Sequence, residues 1–353
     1  MGKIFFFPAR SGRQYPGAAF GPELFEVFSA DALIKGSREV KLHGTEFFHN
    51  VAERDELVNM INSLDSSEEE RSIYTHIMKN AGRKNRGFVF PALMGIVNCT
   101  PDSFHAGSRF DLSVPGSVEN LLQSKADILD FGGESTRPGS SKLQVEEEIK
   151  RLLPVVSAIS GVSSIPISID TKNPETLERM LEFGIKYAND VSGFSNKTMR
   201  KIVRENNLDA VLMHSRGTPE TMQSMANYDD IIAEIVEYFF DRLVLLQCEG
   251  ISFDRIILDP GIGFAKTWKG NLAVLSNMES LDLGFRTLVG TSRKSFVGHI
   301  TGQKVENRLP GTISTSIYLA SHGTDILRVH DIQENREALE VMRSICDFRD
   351  ESL

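Results

Sequence analysis

Carboxylate, amide, hydroxyl and imidazole side chains recur in this chain directly after short apolar, β-branched runs: Asn98, Glu134, Asp170, Asn189 with Asp190, His214, Asp259, Ser292 and His330. A carboxylate or amide fixed at the end of a buried strand is a directed hydrogen-bonding group in weakly polar surroundings. That is what reading the edge of a flat heterocycle requires. Ser168-Ile-Asp170-Thr and Ala188-Asn189-Asp190-Val supply two carboxylates and an amide. Leu212-Met213-His214 and Leu258-Asp259-Pro-Gly-Ile-Gly-Phe264-Ala-Lys266 add an imidazole, a third carboxylate and an aromatic face. Helix capping would explain one or two of Asp170, Asp190 and Asp259, but is less natural for all three.

A second chemistry is anion binding. Ser292-Arg293-Lys294-Ser295-Phe and Arg328-Val-His330-Asp331 place cations and hydroxyls after two consecutive apolar runs. Arg328 and His330 are two residues apart, so on a strand both point to one side. Ser295 could present its hydroxyl or N–H near a helix start. The plainer alternative is a surface salt-bridge cluster. Gly132-Gly-Glu134-Ser-Thr136-Arg137-Pro138-Gly-Ser-Ser141 mixes glycine, hydroxyls and one arginine, as suits a loop that touches anions. In Met94-Gly-Ile-Val-Asn98-Cys99-Thr-Pro-Asp102-Ser-Phe, an apolar run enters a turn. There Asn98 offers a neutral oxygen to a hard cation that keeps its other positions for water and phosphate.

Positioning these groups falls to eight apolar runs: Phe88–Val97, Ala126–Phe131, Ile165–Ile169, Lys186–Ala188, Ala210–Met213, Arg255–Leu258, Thr287–Val289 and Ile326–Val329. Helical patterns alternate with them, among them Val145–Ile159, Glu175–Phe183, Tyr228–Cys248 and Glu334–Phe348. Eight βα units in roughly 265 residues predict an α/β fold of the (β/α)8 TIM-barrel type. An open doubly wound sheet usually has fewer strands and often a GxGxxG turn, which is missing. In a barrel all the polar strand ends open on one face.

Residues 1–86 lack this rhythm and are expected to form a small N-terminal αβ extension, with 87–353 as the catalytic domain. The extension holds aromatic clusters at Phe5–Phe7, Phe20–Phe28 and Phe47–Phe48, and a helix from about Ser67, where Ser66 and Glu69 have capping-box spacing. With no chemical motif in it, packing or oligomerisation is its expected role. Arg83-Lys-Asn-Arg86 reads as a solvated junction.

Composition narrows the classes. The 353 residues are 41% hydrophobic and 25% charged, too apolar for a disordered chain. The longest apolar candidate, Ile231–Leu246, is interrupted by Glu234, Glu237, Asp241 and Arg242, so no membrane helix is expected. A net charge of −9 argues against nonspecific nucleic-acid binding. Cys99, Cys248 and Cys346 suggest neither a disulfide framework nor a zinc pair. The apolar run that ends at Pro8 is too short for a secretory signal. A cytoplasmic protein is expected.

Eight motifs in order resemble those of the dihydropteroate synthases of folate biosynthesis: Asn98-x-Thr-Pro-Asp-Ser-Phe, Gly-Gly-Glu-Ser-Thr-Arg-Pro-Gly, Ser-Ile-Asp-Thr, Asn-Asp-Val-Ser-Gly, Leu-Met-His-x-Arg-Gly-Thr-Pro, Asp-Pro-Gly-Ile-Gly-Phe, Ser-Arg-Lys-Ser-Phe and Arg-Val-His-Asp. The resemblance spans about Pro91–Cys346. It implies a TIM-barrel transferase, commonly a homodimer, that condenses 6-hydroxymethyl-7,8-dihydropterin diphosphate with 4-aminobenzoate by a dissociative, Mg2+-assisted substitution. It implies that Asp170, Asn189, Asp259 and Lys294 hold the pterin, with Met213 and Phe264 lining the pocket. Arg328, His330 and Asn98 would hold the diphosphate, Asn98 by way of Mg2+. Thr136, Arg137, Pro138 and Ser292 would meet aminobenzoate and the sulfonamides that imitate it. The implied catalytic set is Lys294, Arg328, His330, Arg137 and Asp102, the last two on loops that close together.

Departures from the family pattern include Cys99, His105-Ala106, Phe131 and Ser215. Phe131, just before the second loop, could alter aminobenzoate or sulfonamide access, although an aromatic at a strand end is more often packing. A corrinoid-linked methyltransferase barrel would not need Lys294 together with Arg328 and His330. A catalytically silent paralogue acting as a regulatory subunit would tend to lose anion-site and loop residues, and those singled out above are all present.

Overall fold

A computed structural model describes residues 4–9, 24–29, 37–42, 45–81, 88–99, 116–134, 143–218 and 221–350. Asp102, His105, Ala106, Thr136, Arg137 and Pro138 lie outside the described residues.

The chain opens with an antiparallel sheet in the order β1-β2-β4-β3, formed by β1 (Ile4–Pro8), β2 (Leu24–Ser29), β3 (Arg38–Leu42) and β4 (Thr45–Glu53). Helices α1 (Arg54–Ser63) and α2 (Glu68–Asn80) follow. The capping box of α2 uses Ser67 and Glu70, one residue later than expected: the Ser67 hydroxyl accepts from Glu70 N, and the Glu70 carboxylate accepts from Ser67 N at 2.7 Å. Two adjacent serines before three glutamates allow either frame. Ser66 is taken by Arg71, whose Nε donates to its hydroxyl at 3.2 Å.

Eight parallel strands then close into a barrel: β5 (Ala92–Asn98), β6 (Ile128–Gly132), β7 (Ile167–Asp170), β8 (Tyr187–Asp190), β9 (Asp209–Met213), β10 (Ile256–Asp259), β11 (Arg286–Val289) and β12 (Ile326–Val329). β12 pairs back onto β5 from Ile326 against Ala92 to Val329 against Gly95. The crossovers carry α3 (Ser117–Gln123), α4 (Val145–Ser160), α5 (Pro174–Met180), α6 (Lys197–Glu205), α7 (Ile231–Cys248) and α8 (Trp268–Leu275). Both α9 (Ser295–Thr301) and α10 (Leu309–Ser321) lie between β11 and β12, and α11 (Ile332–Asp350) follows β12. This is the predicted (β/α)8 barrel.

Strand periodicity sorts the side chains. Met94, Ile128, Val211, Ile257, Leu288 and Ile326 form an apolar plug inside the barrel. Two residues further along their strands, on the same side, come Asp130, Met213, Asp259 and Arg328. The alternate residues, including Leu129, Phe131, Ile169, Leu258 and Leu327, belong to the larger core shared with the helices. Phe131 is therefore packed on the outer face of β6, fully buried. Of its two readings, packing is the one this placement favours, because the ring faces away from the lumen.

The N-terminal sheet docks on α7 and on the loops entering β10 and β11. The rings of Phe5 and Phe6 lie 6.4 and 5.6 Å from that of Phe240. His76 of α2 hydrogen-bonds the Gly284 carbonyl at 3.1 Å, its ring 4.5 Å from Phe253 and 4.4 Å from Phe285. Gly284 has φ +83°, and a Cβ there would sit 2.5 Å from Asn80 Cβ, so this close approach requires glycine. Gly284 precedes β11, which puts the contact at the N-terminal ends of the strands, opposite the polar strand ends. Among the described residues no helix is long and apolar enough to cross a membrane.

Candidate active site

Arg328 organises the lumen above the apolar plug. Its Nε donates to Asp130 Oδ2 at 2.6 Å and its Nη2 to Asp170 Oδ2 at 2.8 Å. Asn189 Nδ2 donates to the same Asp130 oxygen at 3.2 Å. Asp259 ends β10, accepts from Gly261 N at 2.7 Å and lies within electrostatic reach of Lys294, Arg328 and Lys266. The Lys294 ammonium sits 4.5 Å from the centroid of the Phe264 ring and donates to the Ile262 carbonyl. Gly263, at φ +86°, makes room for this lysine: a Cβ there would meet Lys294 Cδ at 3.0 Å. Asp170, Asn189, Asp259, Lys294 and Arg328, predicted from distant motifs, are thus brought together at one end of the barrel, with Met213 buried at the end of β9.

Three carboxylates, Asp130, Asp170 and Asp259, share this space with two cations. Burial, reinforced by Asp130, Glu148 and Asp190 and opposed by Arg328, pushes the Asp170 carboxyl up to about 7. Burial also raises Asp259, against the pull of the Gly261 N–H and Lys294. Lys294 is lowered to about 8 by burial, with Arg328 adding and Asp259 and Asp170 opposing. Asp130 Oδ1, Asp170 Oδ1 and Ser168 Oγ are buried without a hydrogen-bond partner among the described residues. Buried acceptors left over at the strand ends suit a ligand that brings donors.

Asp130 was not among the predicted residues. Polarity at a strand end does not mark it, because Asp130 lies inside the run Ile128-Leu129-Asp130-Phe131. A carboxylate in the inward phase of a buried strand was the available signal.

His330 lies just past β12 and turns to Ser292: its Nδ1 is 2.9 Å from the Ser292 hydroxyl, and its N–H donates there at 3.2 Å. Arg328, by contrast, binds the lumen carboxylates, so the two residues have different partners. The surface-cluster alternative fails for Arg328 on the same grounds. Arg293 is occupied structurally, bound to Asp331 through two contacts at 2.6 and 2.8 Å. The capping alternative fails for all three aspartates. Asp190 accepts from Ser192 N and Phe194 N, while Asn196 caps α6. Asp259 closes its own turn, and α5 starts after Asn173.

Two supports flank the site. Lys266 Nζ binds His214 Nδ1 at 2.9 Å and the carbonyls of Gly261 and Phe264 at 3.0 and 3.1 Å, tying β9 to the loop after β10. Glu134 accepts from Leu143 N at 3.1 Å and pairs with Lys172 at 2.9 Å. Burial pushes the Cys99 thiol up to about 12, so it is no nucleophile.

Asn98 ends β5, half-buried, beside Gly132 of β6. Among the described residues no three His, Cys, Asp or Glu side chains gather as a metal cage. One neutral oxygen does not fit an all-protein cation site. It fits Mg2+ that keeps waters and takes further ligands from a diphosphate.

Residues 94–330 match the family model of pterin binding enzymes. The chain is 39% identical to the dihydropteroate synthase of Synechocystis sp. over 264 residues, covering 73% of this chain and 89% of the relative. With the Escherichia coli dihydropteroate synthase it shares 37% identity over 258 residues, covering 72% of this chain and 91% of the relative. Among solved structures, Yersinia pestis dihydropteroate synthase in a sulfonamide drug complex superposes with a TM-score of 0.69 at 31% identity, covering 73% of this chain and 94% of that one. The Xanthomonas albilineans dihydropteroate synthase with 4-aminobenzoic acid gives 0.66 at 35% identity, covering 72% and 93%. In barrel topology, in motif order and in these likenesses alike, the chain belongs to the pterin-binding enzymes, as a transferase of the dihydropteroate synthase family.

Proposed function

We propose that the chain joins 6-hydroxymethyl-7,8-dihydropterin diphosphate to 4-aminobenzoate, forming 7,8-dihydropteroate and diphosphate. The observation that carries this reading is the lumen set of Asp170, Asn189, Asp259, Lys294 and Arg328, with acceptors to spare for the donor edge of a pterin. Met213 and the Phe264 ring supply apolar walls. Relatives solved with 4-aminobenzoic acid and with 7,8-dihydropteroate support the same substrate and product here.

The reaction breaks a carbon–oxygen bond. Diphosphate leaves with the bonding pair, the arylamine nitrogen forms the new carbon–nitrogen bond, and the amine then loses a proton. The neutral arylamine needs no strong general base. The adjoining pterin delocalises positive charge, so a dissociative path is favoured and the chief demand on the protein is leaving-group stabilisation. Arg328 is held charged by Asp130 and Asp170 and keeps N–H groups beyond the two it gives them. His330 adds a second donor. Bound beside Asn98, Mg2+ would neutralise diphosphate charge. Asp102 and Arg137 are assigned to closing the site, and Thr136, Pro138 and Ser292 to aminobenzoate; exclusion of water there would protect the cationic carbon.

A homodimer belongs to the same proposal. Val341, Ile345 and Phe348 stand 62%, 53% and 66% exposed along α11, an apolar face suited to a second copy. Three free cysteines accord with a reducing cytoplasm.

The test is diphosphate release by the purified chain with Mg2+ and the pterin diphosphate, with and without 4-aminobenzoate. Release that requires aminobenzoate, yields dihydropteroate and is inhibited by a sulfonamide supports the reading. Pterin binding without release points instead to a silent, regulatory paralogue.

A further inference from the structure

We infer that Asp130 is a positioning residue for pterin recognition and diphosphate departure: one buried carboxylate oxygen sets the direction of both Arg328 and Asn189. The inference rests on the function proposed above. The three residues come from β12, β6 and β8, so the contact spans the lumen rather than joining neighbouring strands.

The chemistry of the acceptor makes Asp130 directive. A carboxylate only accepts, so Asn189 must turn its NH2 toward Asp130 Oδ2. The Asn189 Oδ1 is then the amide's remaining group, an acceptor for a ring N–H. An amide at position 130 could present either face and would lose that selection. Arg328 is fixed by a related rule. Its Nε and Nη2 go to two different carboxylates, Asp130 and Asp170, which sets the guanidinium plane and leaves its other N–H groups for an anion.

Fold stability does not account for this residue. Asp130 is wholly buried one layer above the apolar plug, where an aliphatic side chain would extend the packing begun by Ile128. Replacing a whole buried ion pair by apolar side chains is often neutral or stabilising, so the pairing of Asp130 with Arg328 is weak evidence for a stabilising role. What an aliphatic residue cannot do is aim Arg328 and Asn189.

The test compares wild type with Asp130→Asn, close in shape, and Asp130→Ser. In Asp130→Asn, kcat/KM for the pterin diphosphate should fall roughly 10- to 100-fold, the range seen when the partner of a charged group is lost. The KM for 4-aminobenzoate and the melting temperature should stay near wild type. The loss should shrink to less than about threefold when the same change is made in an Arg328→Ala, Asn189→Ala background, because coupled residues are not additive. Activity within twofold of wild type, or a loss of equal size in both backgrounds, overturns the inference. So does failure of both variants to fold, which would make Asp130 a folding residue. A wild-type chain that makes no dihydropteroate refutes the proposed function instead. Titration with 6-hydroxymethyl-7,8-dihydropterin then still decides on Asp130, through weaker binding by Asp130→Asn.

Discussion

The two ends of the barrel both carry clusters of charge, and they differ in balance. At the N-terminal end Asp209 is ringed by Arg286, Arg255 and Lys186 at 3.0, 3.6 and 3.7 Å. Cations outnumber the carboxylate there, and two of them reach well into solvent. Asp325 at that end accepts from Thr287 N at 2.6 Å and from its hydroxyl at 3.1 Å. In the lumen toward the other end, carboxylates outnumber cations, and buried acceptors are left over. A charge cluster that closes its own hydrogen bonds holds a fold together. One that leaves buried acceptors unspent is poised for something that arrives later.

Breaking the lumen cluster should have the largest effect. Arg328→Ala removes the leaving-group cation and strands Asp130 and Asp170 without their counter-charge. Turnover should fall by roughly 10²–10³-fold, with a lowered melting temperature, as steady-state kinetics and calorimetry would record.

The pH response is a subtler mark of the same imbalance. The folded-state Asp170 lies at about 7, above its ordinary value, so between about pH 4 and 7 the folded state holds the proton more tightly. Stability of the ligand-free protein should therefore decline as pH rises through that window. Lys294, lowered to about 8, binds its proton less well when folded, so its contribution recovers as pH rises beyond 8. Melting curves from pH 5 to 7 should show the decline in wild type and a flatter response in Asp170→Asn. Equal slopes would remove Asp170 as the cause.

The smallest effect is expected at the opposite end. Lys186→Ala should cost about 0.5 kcal/mol in denaturant unfolding and leave turnover unchanged, since Lys186 is half-exposed and Asp209 keeps two arginines. A tenfold loss of activity would erase the distinction between the ends.

Much of the barrel was legible because its strands are short, β-branched and punctuated by turns. All eight runs became strands, with ends shifted by up to four residues. Asp259, Asp170, Asn189 and Arg328 are legible because each sits at or next to a strand end, where polarity interrupts an apolar run; Lys294, five residues past β11, is marked only by the Ser-Arg-Lys-Ser-Phe motif. Asp130 and Phe131 are adjacent on β6, and only the phase of alternation shows that one enters the lumen while the other packs outward. Where the run ends marks neither residue; its phase separates them. The sheet of Ile4–Glu53 was harder to read. In β1 the residues from Ile4 to Phe7 are all buried, so no two-residue alternation marks a strand.

The docking of β1 on α7 has a consequence for how the chain is made. Phe5 and Phe6 meet Phe240 across most of the sequence, while β1 to β4 pair locally among themselves. At ordinary ribosomal speed, on the order of 5–20 residues per second, the aromatic strand emerges tens of seconds before its partner helix. Through that interval the sheet can form but cannot seat its aromatic rings. The nascent chain then carries an uncovered sticky face, so its yield in the cell should depend on whatever shields Ile4–Phe7 until α7 emerges.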